Sequence, residues 1–376
     1  MKESSNPPVI SPLQLVFLIF GTIVGVGFIT LPRGVMEKAR EDAWISVLLA
    51  GIVSILALWL SVRAARLFPQ DTLVEYNPKA FGRILGFLFN LAYAGYFFFF
   101  TVTGVRTMAE VVRAEMLPFT PLEVIILTML FAVVYVSWDG LMPIIRLKES
   151  GLPLTFLLIV FFLLFAFLEA DWSELRVPFV EGIAPVFQAL PTTIYSYLGF
   201  EILFLYYPFV MRKEKALLGG SIAIALTALF YAFIVLGTLV TIGVDVAIAQ
   251  TYPVITMAKL IEVVRQFVER GELLLIILWL PLAYTTHIVT LFSTAFTLQR
   301  MFPPITLRWW LSGLVPAVFT VSLIPQNLIE MAAWTDKVGV VGLFFSTGYP
   351  LLLLLAVWIR RKLHLLPEQD RIGETG

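Results

Sequence analysis

A carboxylate inside a long apolar run is the first feature of this sequence able to do chemistry. Glu201 lies in Tyr195-Ser196-Tyr197-Leu198-Gly199-Phe200-Glu201-Ile202-Leu203-Phe204, and an ionisable group there costs about 2.5–3.5 kcal/mol on insertion scales. It must face a cavity or a partner, either as a proton acceptor or gate, or as a carboxyl bonded to helix amides freed near Gly199. A second run carries His287, which either titrates or is simply hydrogen-bonded as a buried histidine. Around it Thr286, Thr290, Ser293 and Thr297 recur at i, i+4, i+7 and i+11, a polar stripe on one helical face. The stripe serves either hydrogen bonding between helices in lipid or a path for water or a cation.

A third run reads Gly21-Thr22-Ile23-Val24-Gly25-Val26-Gly27-Phe28, then Leu31-Pro32. Each of its three glycines costs roughly 1 kcal/mol of helix propensity relative to alanine. Gly21-x-x-x-Gly25 fits close helix contact. Alternatively the helix unwinds near Gly25–Gly27 and turns free N–H groups toward a cavity, where they bind an anion. Tyr93, Tyr96, Phe97 and Phe100 pass the same depth on another run. Tyr93 and Phe97 share a face by i,i+4 spacing, as either aromatic packing or pocket lining requires. Arg106 and Glu110, also four apart, read as a structural pair near the outer end of that helix or as a gate.

The elements that position these residues follow from composition. Hydrophobic residues are 59% of the 376 and charged residues 14%, against roughly 45–50% and about 25% in soluble domains. A core of this size cannot hide that much apolar surface, so lipid must solvate it. Lys+Arg and Asp+Glu balance at 26 each, which argues against nucleic acid. Cysteine is absent and the histidines are His287 and His364. Thiolate metal sites, cysteine nucleophiles and histidine clusters are thereby excluded. No enzyme constellation, metal or cofactor is expected. Pro7, Pro8 and Pro12 interrupt the amino-terminal approach and no Ala-x-Ala site follows, so the first apolar run is kept as a span.

Apolar runs of spanning length fall near 12–31, 43–62, 85–112, 121–138, 143–168, 185–211, 216–240, 272–299, 309–324 and 338–360. The sequence thus predicts an all-α polytopic membrane protein of about ten spans, as one membrane domain over 1–376. Repeat one covers about 12–168, repeat two about 185–360, and 361–376 forms a short cytoplasmic tail. With the amino terminus inside, sixteen Lys and Arg fall in inner segments and nine in outer ones, which places both termini in the cytoplasm. Arg146, Lys148 and Glu149 imply that the fifth span begins in the headgroups. Residues 66–84 read as an inner loop with a short amphipathic piece. Residues 253–268 read as an interfacial helix, and 326–335 as a second such piece. Asp139, Glu181 and Asp245 lie at span ends and need no function.

Interruptions in spans 1 and 6, five apart, are what two inverted five-helix repeats predict. Gly21 to Phe28 with Leu31-Pro32 resembles the first helix of amino acid/polyamine/organocation (APC) permeases. Tyr197-Leu198-Gly199-Phe200-Glu201 resembles their sixth-helix signature. Within that superfamily the chain resembles the spore germination permease family, the B subunit of endospore germinant receptors. Leu31-Pro32-Arg33, Asp42-Ala43-Trp44-Ile45-Ser46, Thr72-Leu73-Val74-Glu75-Tyr76 and Val180-Glu181-Gly182-Ile183-Ala184-Pro185 carry this closer match.

The resemblance implies an APC/LeuT-like fold and a small amino acid ligand. Its carboxylate would rest on the Val26, Gly27 and Phe28 amides. The carbonyls of Ile23 and of Tyr195 or Leu198 would accept from its ammonium. The implied ligand-binding set is Thr22, Ile23, Gly25, Val26, Gly27, Phe28, Tyr93, Phe97, Tyr195, Ser196, Leu198 and Gly199. Glu201, Thr286, His287 and Thr290 are candidates for gating or proton coupling. Tyr195 stands where some members place tryptophan. The implied role is a subunit that senses a small neutral amino acid and triggers germination from the spore inner membrane. Its implied partners are a multi-span A subunit and a lipoprotein C subunit. Alternatives are a free-standing amino acid/proton symporter and a ligand-free membrane scaffold.

Overall fold

Backbone in hydrocarbon must satisfy its own hydrogen bonds, and helices do so within one segment. The computed structural model describes residues 8–261 and 270–363, and its regular elements among these are helices, with one isolated bridge between Ile10 and Val210. The first span is α1 (Pro12–Ile23) plus α2 (Gly27–Ala39). After a reversal at Arg40 (φ 47°) come α3 (Ala43–Ala65), a short α4 (Leu73–Phe81), α5 (Arg83–Glu115), α6 (Leu122–Ser137) and α7 (Leu141–Leu164). The sixth span starts with α8 (Ala184–Tyr195) and ends with α9 (Leu203–Tyr206) between single 3-10 turns. Then follow α10 (Ala216–Ala249), α11 (Pro253–Leu260), α12 (Gly271–Met301), α13 (Leu307–Ser322), α14 (Leu328–Leu343) and α15 (Tyr349–Lys362). The last two join through a π turn into one tenth span.

Five spans carry the chain once across in net terms. The sixth span therefore runs opposite to the first, and each five-span set opens with the interrupted one. Local chemistry explains the starts of the elements. Ser11 and Gln14 form a capping box ahead of Pro12 at the head of α1, satisfying amide donors that a helix start leaves open. Thr72 and Glu75 do the same for α4. Backbone bonds from Ile10 to Phe209 and from Met211 to Ile10, at 2.8 and 2.9 Å, fasten the approach to α1 onto the end of the sixth span.

The outer surface is apolar, with Phe131, Leu154 and Leu157 each about three-fifths exposed, as lipid contact demands. Three expectations change. Residues 328–335 are the first turns of the tenth span and not a separate interfacial piece. In α11, Val254, Ile255, Met257 and Ala258 are buried against α2, α10 and α12, so that helix is packed into the bundle. The remainder of the predicted 253–268 helix, from 262 on, lies outside the described residues, as do His364 and the tail from 364. The third change concerns Lys148. It is fully buried inside the bundle, because it shares the inward face of α7 with Ile144 and Leu152 while Arg146 and Glu149 point outward. Arg106 and Glu110 do pair at 2.9 Å, and Arg106 also donates to the Ser322 carbonyl at the end of α13. Asp139 and Asp245 pair with Arg308 and Arg40 at span ends.

Candidate functional site

The first span unwinds at Val24, whose ψ of 92° leaves the helical region while its N–H still donates to Phe20. Residues 24–26 cross the gap and α2 begins at Gly27. The first N–H groups of α2 have no intrahelical acceptor and carry the positive end of its dipole. A β-carbon on Gly27 would meet nothing within 4 Å, whereas one on Gly25 would lie 2.5 Å from the Thr286 hydroxyl. Close packing and unwinding both occur along the glycine run, at different residues. Gly21 allows close packing on Leu152 of α7 and Thr285 of α12, Gly25 on Thr286 of α12, and the segment up to Gly27 is unwound beside open space. Trp279 donates to the Gly25 carbonyl at 3.1 Å, and Thr285 and Thr286 donate to the Gly21 carbonyl at the same distance.

The sixth span breaks over Ser196–Gly199, where amides fall back on single tight turns to Thr193, Ile194 and Tyr195. Gly199 then takes φ +129°, a conformation side chains resist. Its N–H donates to both carboxylate oxygens of Glu201, at 3.0 and 2.8 Å. Tyr96 donates to Glu201 Oε1 at 2.5 Å, and Tyr93 donates to the Glu201 carbonyl at 2.9 Å. Glu201 thus accepts from the amide freed at Gly199 and from Tyr96, inside the protein. Tyr93 and Phe97 are fully buried, packing edge to face at 4.9 Å between ring centres. They brace the second half of the sixth span.

The two breaks touch. A β-carbon on Gly199 would fall 2.9 Å from the Thr22 carbonyl group. Tyr231 of α10 stands behind both, its hydroxyl 3.2 Å from the carbonyl oxygen of Ile23 and 3.2 Å from that of Ser196. Two carbonyls freed by unwinding thus converge on one donor. Tyr195 and Leu198 lie against α14, where Gly339 and Gly342 leave room for their side chains. Phe28 points away from the gap and packs on Phe230 of α10.

The polar stripe of α12 is spent on neighbours: Thr286 on α1, Thr290 on Thr101 of α5 at 2.8 Å, and Ser293 on the Tyr206 hydroxyl at 2.7 Å. His287 is buried against Gly104 of α5, and neither ring nitrogen has a hydrogen-bond partner among the described residues. Opposite the stripe, the Lys148 amine lies 3.1 Å from the Thr22 hydroxyl and 3.4 Å from the Leu18 carbonyl, both uncharged acceptors. The Thr22 hydroxyl in turn donates to the Leu18 carbonyl at 2.6 Å.

The structure therefore brings together Thr22, Ile23, Gly25, Ser196, Gly199, Glu201 and Thr286 around the paired breaks. Tyr93 supports the sixth span through the Glu201 carbonyl, with Phe97 packed on its ring, whereas His287 lies against Gly104 of α5. Sequence reasoning missed Tyr231, Trp279, Gly339 and Gly342, and misplaced Lys148. The last had a signal, since Ile144, Lys148 and Leu152 recur at i, i+4 and i+8. A lone tyrosine in the aliphatic α10 gave no comparable one.

Comparison with known proteins adds to this geometry. A family model described as spore germination protein matches residues 9–331. Spore germination protein YndE of Bacillus subtilis (strain 168) is 28% identical over 94% of this chain and 97% of its own length. Spore germination protein A2 of the same strain is 29% identical over 96% and 99%. Spore germination protein GerLB of Bacillus cereus is 22% identical over 93% and 94%. Among solved structures, Mhp1, a nucleobase-cation-symport-1 family transporter in a closed conformation with bromovinylhydantoin bound, superposes over 99% of both chains. The TM-score is 0.66 at 14% identity, which establishes a shared fold.

Proposed function

This chain belongs to the spore germination protein family, and from that premise we propose that it is the ligand-sensing membrane subunit of a germinant receptor. It binds a small neutral amino acid between the broken spans and passes a conformational change to partner subunits. One observation carries the reading. The unwound first span presents amide donors beside open space at Gly27, while the carbonyls of Ile23 and Ser196 converge on Tyr231. A zwitterion needs donors for its carboxylate and acceptors for its ammonium, and helix ends supply both. The nearby charged groups, Glu201 and Lys148, are already bonded to the protein, so a ligand with a neutral side chain suits the site.

On this reading the partners are a multi-span A subunit and a lipoprotein C subunit, in the spore inner membrane with both termini cytoplasmic. Affinity purification from sporulating cells tests it. Stoichiometric recovery of two such proteins supports a receptor, and recovery of this chain without them contradicts it.

A second reading is proton-coupled amino acid transport, and Lys148 favours it. An intramembrane amine bonded to uncharged acceptors in the last turns of α1, just ahead of the break, is a group whose protonation can be tied to that break. Uptake into proteoliposomes separates the two. Concentrative, proton-driven accumulation supports transport, and saturable binding without accumulation supports sensing.

A further inference from the structure

Away from the paired breaks, a groove of about 250 Å³ opens between α6, α7 and α12. Ala132 and Val136 form one wall, Gly151 and Tyr284 the other, and Leu152 and Thr285 the floor. Its lining is almost wholly apolar and carries no charged side chain. Apolar cavities on the order of 150 Å³ already stay dry and take up a hydrocarbon guest. The groove is continuous with the lipid-facing surface, since Phe131 and Tyr135 of α6 and Leu147 and Leu154 of α7 flank it and are exposed. The floor reaches the first span. Leu152 lies so close to the bare Cα of Gly21 that a β-carbon there would be 2.3 Å from its Cδ1, and Thr285 donates to the Gly21 carbonyl.

We propose that this groove holds one acyl chain of a phospholipid from the surrounding bilayer, and that the chain braces α1 next to its break through Leu152 and Thr285. A headgroup finds no ionic partner there, and water finds few polar ones. Hydrocarbon is the medium in contact with its mouth. Occupancy of the groove stands apart from the amino acid site; only the bracing role rests on that reading.

The test uses the full chain in lipid nanodiscs containing a small fraction of phospholipid with a diazirine at mid-chain. Photolabelling is mapped by mass spectrometry. Labels should concentrate on residues 132–155 and 281–288. A β-carbon on Gly151 meets nothing within 4 Å, so Gly151→Phe can start into the groove without a backbone clash, and Ala132→Trp fills it from α6; unchanged melting of each variant shows that it is folded. Both should cut groove labelling severalfold while labelling elsewhere is unchanged. Labels spread evenly over all lipid-facing helices, or groove labels that persist in both variants, overturn the site. If groove labelling falls but amino acid binding is unaltered, the bracing role is refuted. If the native chain binds no amino acid, the failure lies with the site at the breaks and not with the groove.

Discussion

The backbone of Gly199 rests on that of Thr22, with a β-carbon on Gly199 falling 2.9 Å from both atoms of the Thr22 carbonyl group. The turn that interrupts the sixth span is therefore seated on the first span, one residue before α1 ends. Each break is held in place by the other.

Gly199→Ala should accordingly disturb both spans. The left-handed conformation alone costs on the order of 1–3 kcal/mol for a side-chain-bearing residue, and the overlap with Thr22 adds to it. Thermal melting of the purified variant should drop clearly, and amino acid binding should fall with it. Native melting would mean that the two breaks are not in contact.

Tyr231 links the same two segments through hydroxyl contacts to Ile23 and Ser196. Hydrogen bonds between helices in lipid average about 0.6 kcal/mol and reach about 1.7, so Tyr231→Phe should barely change melting. Its signature is local. Amide exchange should quicken in residues 23–27 and 196–199 together and nowhere else. Exchange that rises in one break only would show that the tyrosine does not couple them.

Span positions and both interruptions were legible in the sequence because hydropathy, glycine spacing and a mid-span carboxylate are local signals. Glu201 was legible as a residue needing a partner, and the structure supplies Gly199 two positions before it. What was not legible depends on rotation about helix axes. Tyr231 and Trp279 reach the breaks from α10 and α12 only because those helices present those faces. Lys148 was read as a headgroup charge because hydropathy counts charges without asking which face bears them. Gly339 and Gly342 matter through the side chains they admit from α8 and its following turn.

Glu201 accepts from the Gly199 amide and the Tyr96 hydroxyl. Glutamine keeps a carbonyl oxygen for these donors, so Glu201→Gln should retain ligand response and most of the stability. Glu201→Ala strands two buried donors at about 1–3 kcal/mol each and should melt far earlier. If glutamine and alanine were equally inactive while glutamine stayed folded, the carboxyl would be acting by titration, not as an acceptor.

Lys148 separates the two functional readings. Methionine is close to it in volume, removes the buried amine, and leaves the Thr22 hydroxyl its bond to the Leu18 carbonyl, so the variant should stay folded. For a sensor, Lys148→Met should bind amino acid with unchanged pH dependence. A symporter would lose proton-coupled uptake in this variant while remaining folded.

The central claim is that the open space beside Gly27 holds the ligand, and amino-acid-dependent stabilisation of the purified chain tests it most directly. At about 100 times Kd a ligand that binds the folded state adds about 2.7 kcal/mol, readily seen in a melting curve. Because nothing lies within 4 Å of a β-carbon on Gly27, Gly27→Leu should melt like the native chain when no ligand is present. The account predicts that a small neutral amino acid stabilises the native chain and leaves Gly27→Leu unmoved. Equal stabilisation of both would contradict it.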